Sequence, residues 1–142
     1  IDDNNRKTLF MEMVEQMDMS YSYKPVLLKA VLQYADKQGR VKIEDIVAYF
    51  MAYYEDRRAK GLKVEKQNSI FAKGGYTDKE AERNILSNPF KRFEDMNMMR
   101  HTKTLGIVEV DSTVWKKLLD DEKVHILSVC DKKLDEYYER IK

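Results

Sequence analysis

Two histidines, His101 and His125, and one cysteine, Cys130, are the residues here most often recruited for catalysis or metal binding. Zinc sites gather three or four such ligands at short, regular spacing. Here the histidines stand far apart, with no Cys or Asp spacing around them, so no metal is expected. Cys130 falls on the apolar edge of a predicted helix, the setting of a structural thiol rather than a nucleophile. Gly74-Gly75 lacks the Gly-Lys-Ser/Thr continuation of a phosphate loop, and no Gly-x-Ser-x-Gly elbow occurs. Glu109 and Asp111 form a carboxylate pair, yet no lysine accompanies them as metal-dependent nucleases require. They read as a strand carboxylate and a helix cap. Neither an enzyme, a cofactor nor a small-molecule substrate is expected of this chain.

The cations carry more information. The chain has 142 residues and a net charge of only +1. Residues 57–103 nevertheless hold twelve Lys/Arg against six Asp/Glu, which leaves the remainder at −5. A basic middle between acidic flanks points to an anionic partner, although solvated charged faces produce the same imbalance. Lys79, Arg83, Lys91, Arg92, Arg100, His101 and Lys103 are the candidate nucleic-acid contacts. The cations would neutralise phosphates and release counterions, which positions a protein without reading bases. Tyr76 and His101 could stack on a base or sugar. Arg57, Arg58, Lys60, Lys63, Lys66 and Lys73 are weaker candidates, since Arg57 and Arg58 also suit a helix C-terminus.

These side chains need elements to hold them. Apolar spacing predicts helices over 4–17 (Leu9, Phe10, Met13, Val14, Met17) and 25–36, with Gly39 a left-handed stop. The 43–60 helix has the cleanest pattern: Ile43, Ile46, Val47, Phe50, Met51 and Tyr54 fall at i, i+3, i+4, i+7, i+8 and i+11. Residues 62–76 show no period. Thr77 and Glu80 form a capping box opening a helix to about Ser87; Asn88 caps a second, with Pro89 at its first position. Residues 98–110 predict two strands around Gly106. A helical part begins near Ser112 with Trp115 and Leu118 as anchors. The last helix starts at 120–122 and buries Leu127, Cys130, Leu134, Tyr137 and Ile141, with Lys132–Glu136 and Glu136–Arg140 pairs outside. The methionines and the Tyr49/Tyr53/Tyr54 cluster are assigned mainly to the core or its edge.

Helix, short strand, helix, helix and ribbon, in that order, predict a mainly α, winged-helix-like domain with a small β-hairpin and additional N- and C-terminal helices. Its parts would be an N-terminal helix at 1–18, a winged-helix-like core at 24–111 and C-terminal helices at 112–142, all in one domain. The Asn88-Pro89 break and the 62–76 insertion depart from that pattern. No apolar run reaches the roughly 20 residues of a membrane span. No signal peptide is visible, and a single cysteine suits a reducing cytoplasm.

Four phrases together, SYSYKPVLLKAVL, YYEDRRAKGLKVEK, SIFAKGGYT and RNILSNPFKRFEDM, resemble a segment near the C-terminal end of bacterial DEAD/DEAH-box (superfamily 2) helicases, some linked to restriction or defence. The resemblance covers roughly 19–119. KPVLLKAVL is also similar to a helix ahead of His-Asn-His nuclease modules, whose histidines are missing here. The motor motifs are missing too: there is no Walker loop, Asp-Glu-Ala-Asp box or arginine finger. The resemblance therefore implies an accessory module of a longer bacterial protein, and a chain starting at Ile1 fits a fragment. Its expected partner is duplex or forked DNA; the alternative is docking to the helicase core or another subunit. Convergence of Lys91, Arg92, Arg100 and Lys103 on one face would favour DNA, and an exposed apolar patch at Tyr49, Tyr53 or the terminal helices would favour docking.

Overall fold

The computed structural model describes residues 3–142. The first two residues of the expected 1–18 helix lie outside that range. The chain runs α1 (Asp3–Glu15), α2 (Tyr23–Tyr34), β1 (Arg40–Lys42), α3 (Ile43–Ala59), α4 (Ile70–Lys73), α5 (Asp78–Ser87), α6 (Pro89–Asp95), β2 (Met99–Thr102), β3 (Ile107–Val110), α7 (Ser112–Lys117) and α8 (Asp120–Arg140). It is mainly helical, with a small antiparallel sheet.

The sheet has three strands, not the two of a bare hairpin, in the order β1-β3-β2. The RVK stretch supplies the third. Arg40 faces Glu109 and Lys42 faces Ile107, while Met99 faces Val110 and Thr102 faces Ile107. Alternation buries Val108 and Val110 and leaves Ile107 and Glu109 half-covered.

Helix α2 sits at the centre. Its side chains are apolar nearly all round, and Tyr23, Pro25, Val26, Leu27, Leu28, Ala30 and Val31 are buried. It packs on α3, α8, α6 and β1. It starts two residues before Pro25 and ends at Tyr34, ahead of the expected Asp36. Asp36 turns instead, its carboxylate accepting the Gln38 and Arg40 backbone N–H groups at 2.8 and 3.0 Å. Gly39, at φ +80°, lies against Trp115, so the glycine is required by the turn and by the indole ring together.

Residues 62–76 are irregular, as their lack of period implies, but they are packed into the core. Phe71 is fully buried on a single turn capped by Ser69, and Val64 and Glu65 are buried beside it. The Glu65 carboxylate accepts bonds from the Ser22 backbone and hydroxyl, the Tyr137 hydroxyl and the Lys66 backbone. Because Ser22 gives its proton to Glu65, Tyr54 donates to Ser22 across 2.6 Å. This junction of four segments explains how a charged side chain is tolerated inside.

Several local expectations need correction. In α8, Ile126 is buried and Leu127 only half-buried. Arg140 donates to the Met19 carbonyl at 2.7 Å instead of pairing with Glu136. Asn88 ends α5 and precedes Pro89, but its side chain makes no capping bond. Tyr76 is not held out for stacking on a base; its ring packs edge-on to Phe71 at 4.9 Å.

Candidate nucleic-acid interface

Helix α5 begins at the Thr77–Glu80 capping box, in which each residue's side chain accepts the other's backbone N–H, at 3.1 and 2.9 Å. Ala81 and Ile85 are buried, and the helix packs on α3. Lys79, Glu82, Arg83 and Leu86, at helical spacing i, i+3, i+4 and i+7, share another face. That face forms one wall of an open groove of 770 Å³, completed by Ile43, Ser87, His101, Lys103 and Gly106. The opposite wall is the β2–β3 turn. It is anchored where the Ile43 backbone N–H donates to the Gly106 carbonyl at 2.9 Å. His101 is fixed edge-on to Phe90 of α6, with ring centres 6.2 Å apart.

Four of the seven residues singled out in the sequence therefore meet: Lys79, Arg83, His101 and Lys103. Among the described residues, Lys79, Arg83 and Lys103 have no ion-pair partner. Glu82 is the one carboxylate among the groove's lining residues. Three cations and one carboxylate therefore line the groove, with Glu80 acting on Arg83 from the same helix.

The other three lie elsewhere. Lys91 is held by Asp95 at 2.9 Å and Glu94 at 3.6 Å, and the Asp95 hydrogen bond pushes its pKa up. Arg100 alternates to the sheet face opposite His101 and pairs with Glu109 at 3.2 Å. Arg92 lines a separate indentation with Glu12, Asp18, Lys24 and Met96. Lys91, Arg92, Arg100 and Lys103 thus do not converge on one face. Of the expected set, α5 contributes Lys79 and Arg83 to the groove while α6 contributes none; Glu82, Leu86 and Ser87 of α5 line it as well and were not among the expected contacts, although the 79/82/83/86 spacing places them on one face.

The earlier part of the basic stretch is occupied with holding the fold. Arg57 donates to the Lys63 carbonyl at 2.6 Å with its guanidinium 3.5 Å above Tyr138. Arg58 donates to the Phe71 carbonyl, and Lys66 donates to that of Ser20 at 2.6 Å. Lys60 pairs with Asp56 at 2.9 Å.

The residues with catalytic potential are also accounted for. Asp111 caps α7 through the Val114 N–H and pairs with Arg6 at 3.2 Å. Glu109 lies between Arg40 and Arg100. His125 pairs with Glu15, 24 residues from His101 in the chain. Cys130 is fully buried, and burial pushes its thiol up to about 12. Among the described residues, no group of three or more His, Cys, Asp or Glu is arranged to hold a metal. No helix there is long and apolar enough to cross a membrane. No protein-family pattern, curated protein or solved structure matches this chain.

Proposed function

We propose that this chain is a non-catalytic, winged-helix-like DNA-binding module. It grips phosphates without regard to sequence and serves as an accessory domain of a bacterial superfamily 2 helicase or restriction-type protein. Support for the winged-helix reading comes from the element order α2-β1-α3-α5/α6-β2-β3 and the strand order β1-β3-β2. In such an arrangement the third helix and the wing share a face, which here would be the α5–turn groove.

The observation that carries the reading is that Lys79, Arg83 and Lys103 line one groove together with a single carboxylate, Glu82. Three cations gathered around one groove suit an external polyanion. His101 could add a hydrogen bond to a phosphate or sugar.

Titrating a labelled duplex at several salt concentrations tests this. Affinity should fall steeply with salt, and each of Lys79→Glu, Arg83→Glu and Lys103→Glu should lower the log–log slope by about 0.9. Lys91→Glu should change it little, because Lys91 is already neutralised. No binding at low salt, or equal effects from Lys91→Glu and Lys103→Glu, would refute the assignment. The second reading, docking to the parent enzyme or a partner subunit, rests on Leu119 and Val124, which are 59% and 66% exposed where α8 begins.

A further inference from the structure

Helix α5 carries its surface charges in an order that becomes its own complement when reversed. Asp78, Lys79, Glu82 and Arg83 lie on one side of the helix, all exposed except Glu82, which is half-buried. Along the chain they run acid, base, acid, base; from the other end they run base, acid, base, acid. Within a single helix that order is unfavourable, because i,i+4 spacing sets Asp78 beside Glu82 and Lys79 beside Arg83, like against like. The i,i+3 neighbours Lys79 and Glu82 close no ion pair, and Asp78 and Arg83 have none among the described residues. Glu80, whose charge reaches Arg83, is held at the Thr77 backbone N–H by the capping box. Two open grooves meet at these charges. The 770 Å³ groove takes Arg83 and Leu86 from the C-terminal half of α5, with Lys103 beside them. A second groove, of 390 Å³, takes Asp78 from the N-terminal end and Glu44, Ala48 and Met51 from α3. Lys79 and Glu82 border both. One end of this surface is therefore basic and the other acidic, with a mixed pair between them.

An interface between two copies related by a two-fold axis must be complementary to itself. A second copy laid antiparallel over α5 sets Asp78 against the partner's Arg83 and Lys79 against the partner's Glu82, and the axis repeats both contacts. The same reversal carries Leu86 toward the partner's Met51 and Lys103 toward the partner's Glu44. We propose that this face pairs two copies of the chain through antiparallel α5 helices. A helix of ten residues falls short of the roughly 20–30 residues a side of a stable interface, so the pair forms weakly and reversibly. The inference does not rest on DNA binding, but it adds a competitor to it, since Lys79 and Arg83 serve the second copy and the polyanion alike.

Sedimentation equilibrium tests this on the unaltered chain, at concentrations rising to about 1 mM and at low and high salt. We expect a reversible dimer that loosens as salt rises. Lys79→Glu and Glu82→Lys each place like charges together twice across the axis, and each should weaken the dimer by about tenfold. The two changes in one chain, Lys79→Glu with Glu82→Lys, restore opposite signs at both contacts and should bring the dimer back. That double variant also gives α5 favourable i,i+4 pairs, so its fold is secure, which thermal melting verifies. Lys91→Glu, an equal change of charge away from α5, should leave the dimer as it was. Excess duplex should return the unaltered chain to monomer. A monomer at every concentration, a dimer indifferent to salt, or a double variant no stronger than its single changes overturns the pairing. So does a dimer that persists on bound duplex. A monomer that binds duplex in a salt-dependent way overturns the pairing alone, and a dimer that binds no duplex at low salt overturns the phosphate-binding reading alone.

Discussion

Glu65 is 2% exposed and has no ion-pair partner among the described residues. Four donors converge on it instead, from Ser22, Tyr137 and Lys66. Burial holds the Tyr54 and Tyr137 hydroxyls well above their ordinary pKa, so both stay protonated as donors. Glu65→Gln sets an amide N–H₂ against at least one of those donors. We expect a loss of roughly 1–3 kcal/mol in urea denaturation, and a variant as stable as the parent would contradict the network. Three surface acids make a separate prediction. Backbone N–H groups of Arg40 and Gln38 lower Asp36 from its ordinary 3.8; the Thr77 N–H, then its hydroxyl, lowers Glu80 from 4.5; and the Leu119 N–H, then Lys7, lowers Glu122 from 4.5. Each folded value lies below the unfolded one, so the unfolded chain binds more protons in acid. Their stabilisation is complete above 4.5 and is lost as pH falls through the folded values. The thermal midpoint should therefore drop as pH falls below about 4.5, and less so in Glu80→Gln/Glu122→Gln. Equal slopes in the two proteins would exclude these acids as the cause.

At the scale of elements, the turn before β1 and the first turn of α5 are the sensitive places. A Cβ on Gly39 would lie 2.8 Å from Trp115 Cγ and 2.9 Å from Cδ2, at a backbone φ of +80°. Gly39→Ala should cost about 1–3 kcal/mol through strain and overpacking. It should also shift the tryptophan emission to the red as the ring, bonded through Nε1 to the Lys37 carbonyl at 3.1 Å, is displaced. Unchanged emission would mean that the turn yields elsewhere. Thr77→Ala removes one half of the α5 capping box and should cost about 1 kcal/mol. Since α5 carries Lys79 and Arg83, the proposed DNA binding should weaken modestly with it while the salt slope stays constant; a lost slope would show that the cap does more than support the helix.

For the whole molecule, α2 is the common neighbour of α3, α6, α8 and β1. Arg6 and Lys7 reach from α1 to Asp111 and Glu122 at 3.2 and 3.1 Å. With the terminal helices joined to the core in this way, we expect one cooperative unfolding transition. Far-ultraviolet circular dichroism and Trp115 fluorescence should coincide, and separated midpoints would reveal two units. Much of this arrangement was legible in the chain itself. The apolar period of α3, the Thr77–Glu80 box, the Pro89 restart and the alternation at 107–110 are local patterns, each settled by backbone geometry within a few residues. The role of 62–76 was not legible, because Phe71 and Glu65 are defined by partners on α2, α3 and α8 rather than by any period. The candidate site was half legible. Composition located the cations in 57–103, and helical spacing accounts for the pairing of Lys60 with Asp56 and of Lys91 with Asp95, whereas the partner of Arg100 depends on strand register. Arg100 meets Glu109 only because β2 pairs with β3 in that register, and the same register turns His101 to the other face. By itself, then, the sequence determined the helices, the hairpin and a surplus of positive charge, since each follows from neighbours along the chain. Tertiary structure alone decided that RVK joins the sheet and that Glu65 is satisfied inside. It also decided that Lys79, Arg83, His101 and Lys103 share one groove, because burial and the placing of α5 beside the β2–β3 turn are set by residues brought together from far apart.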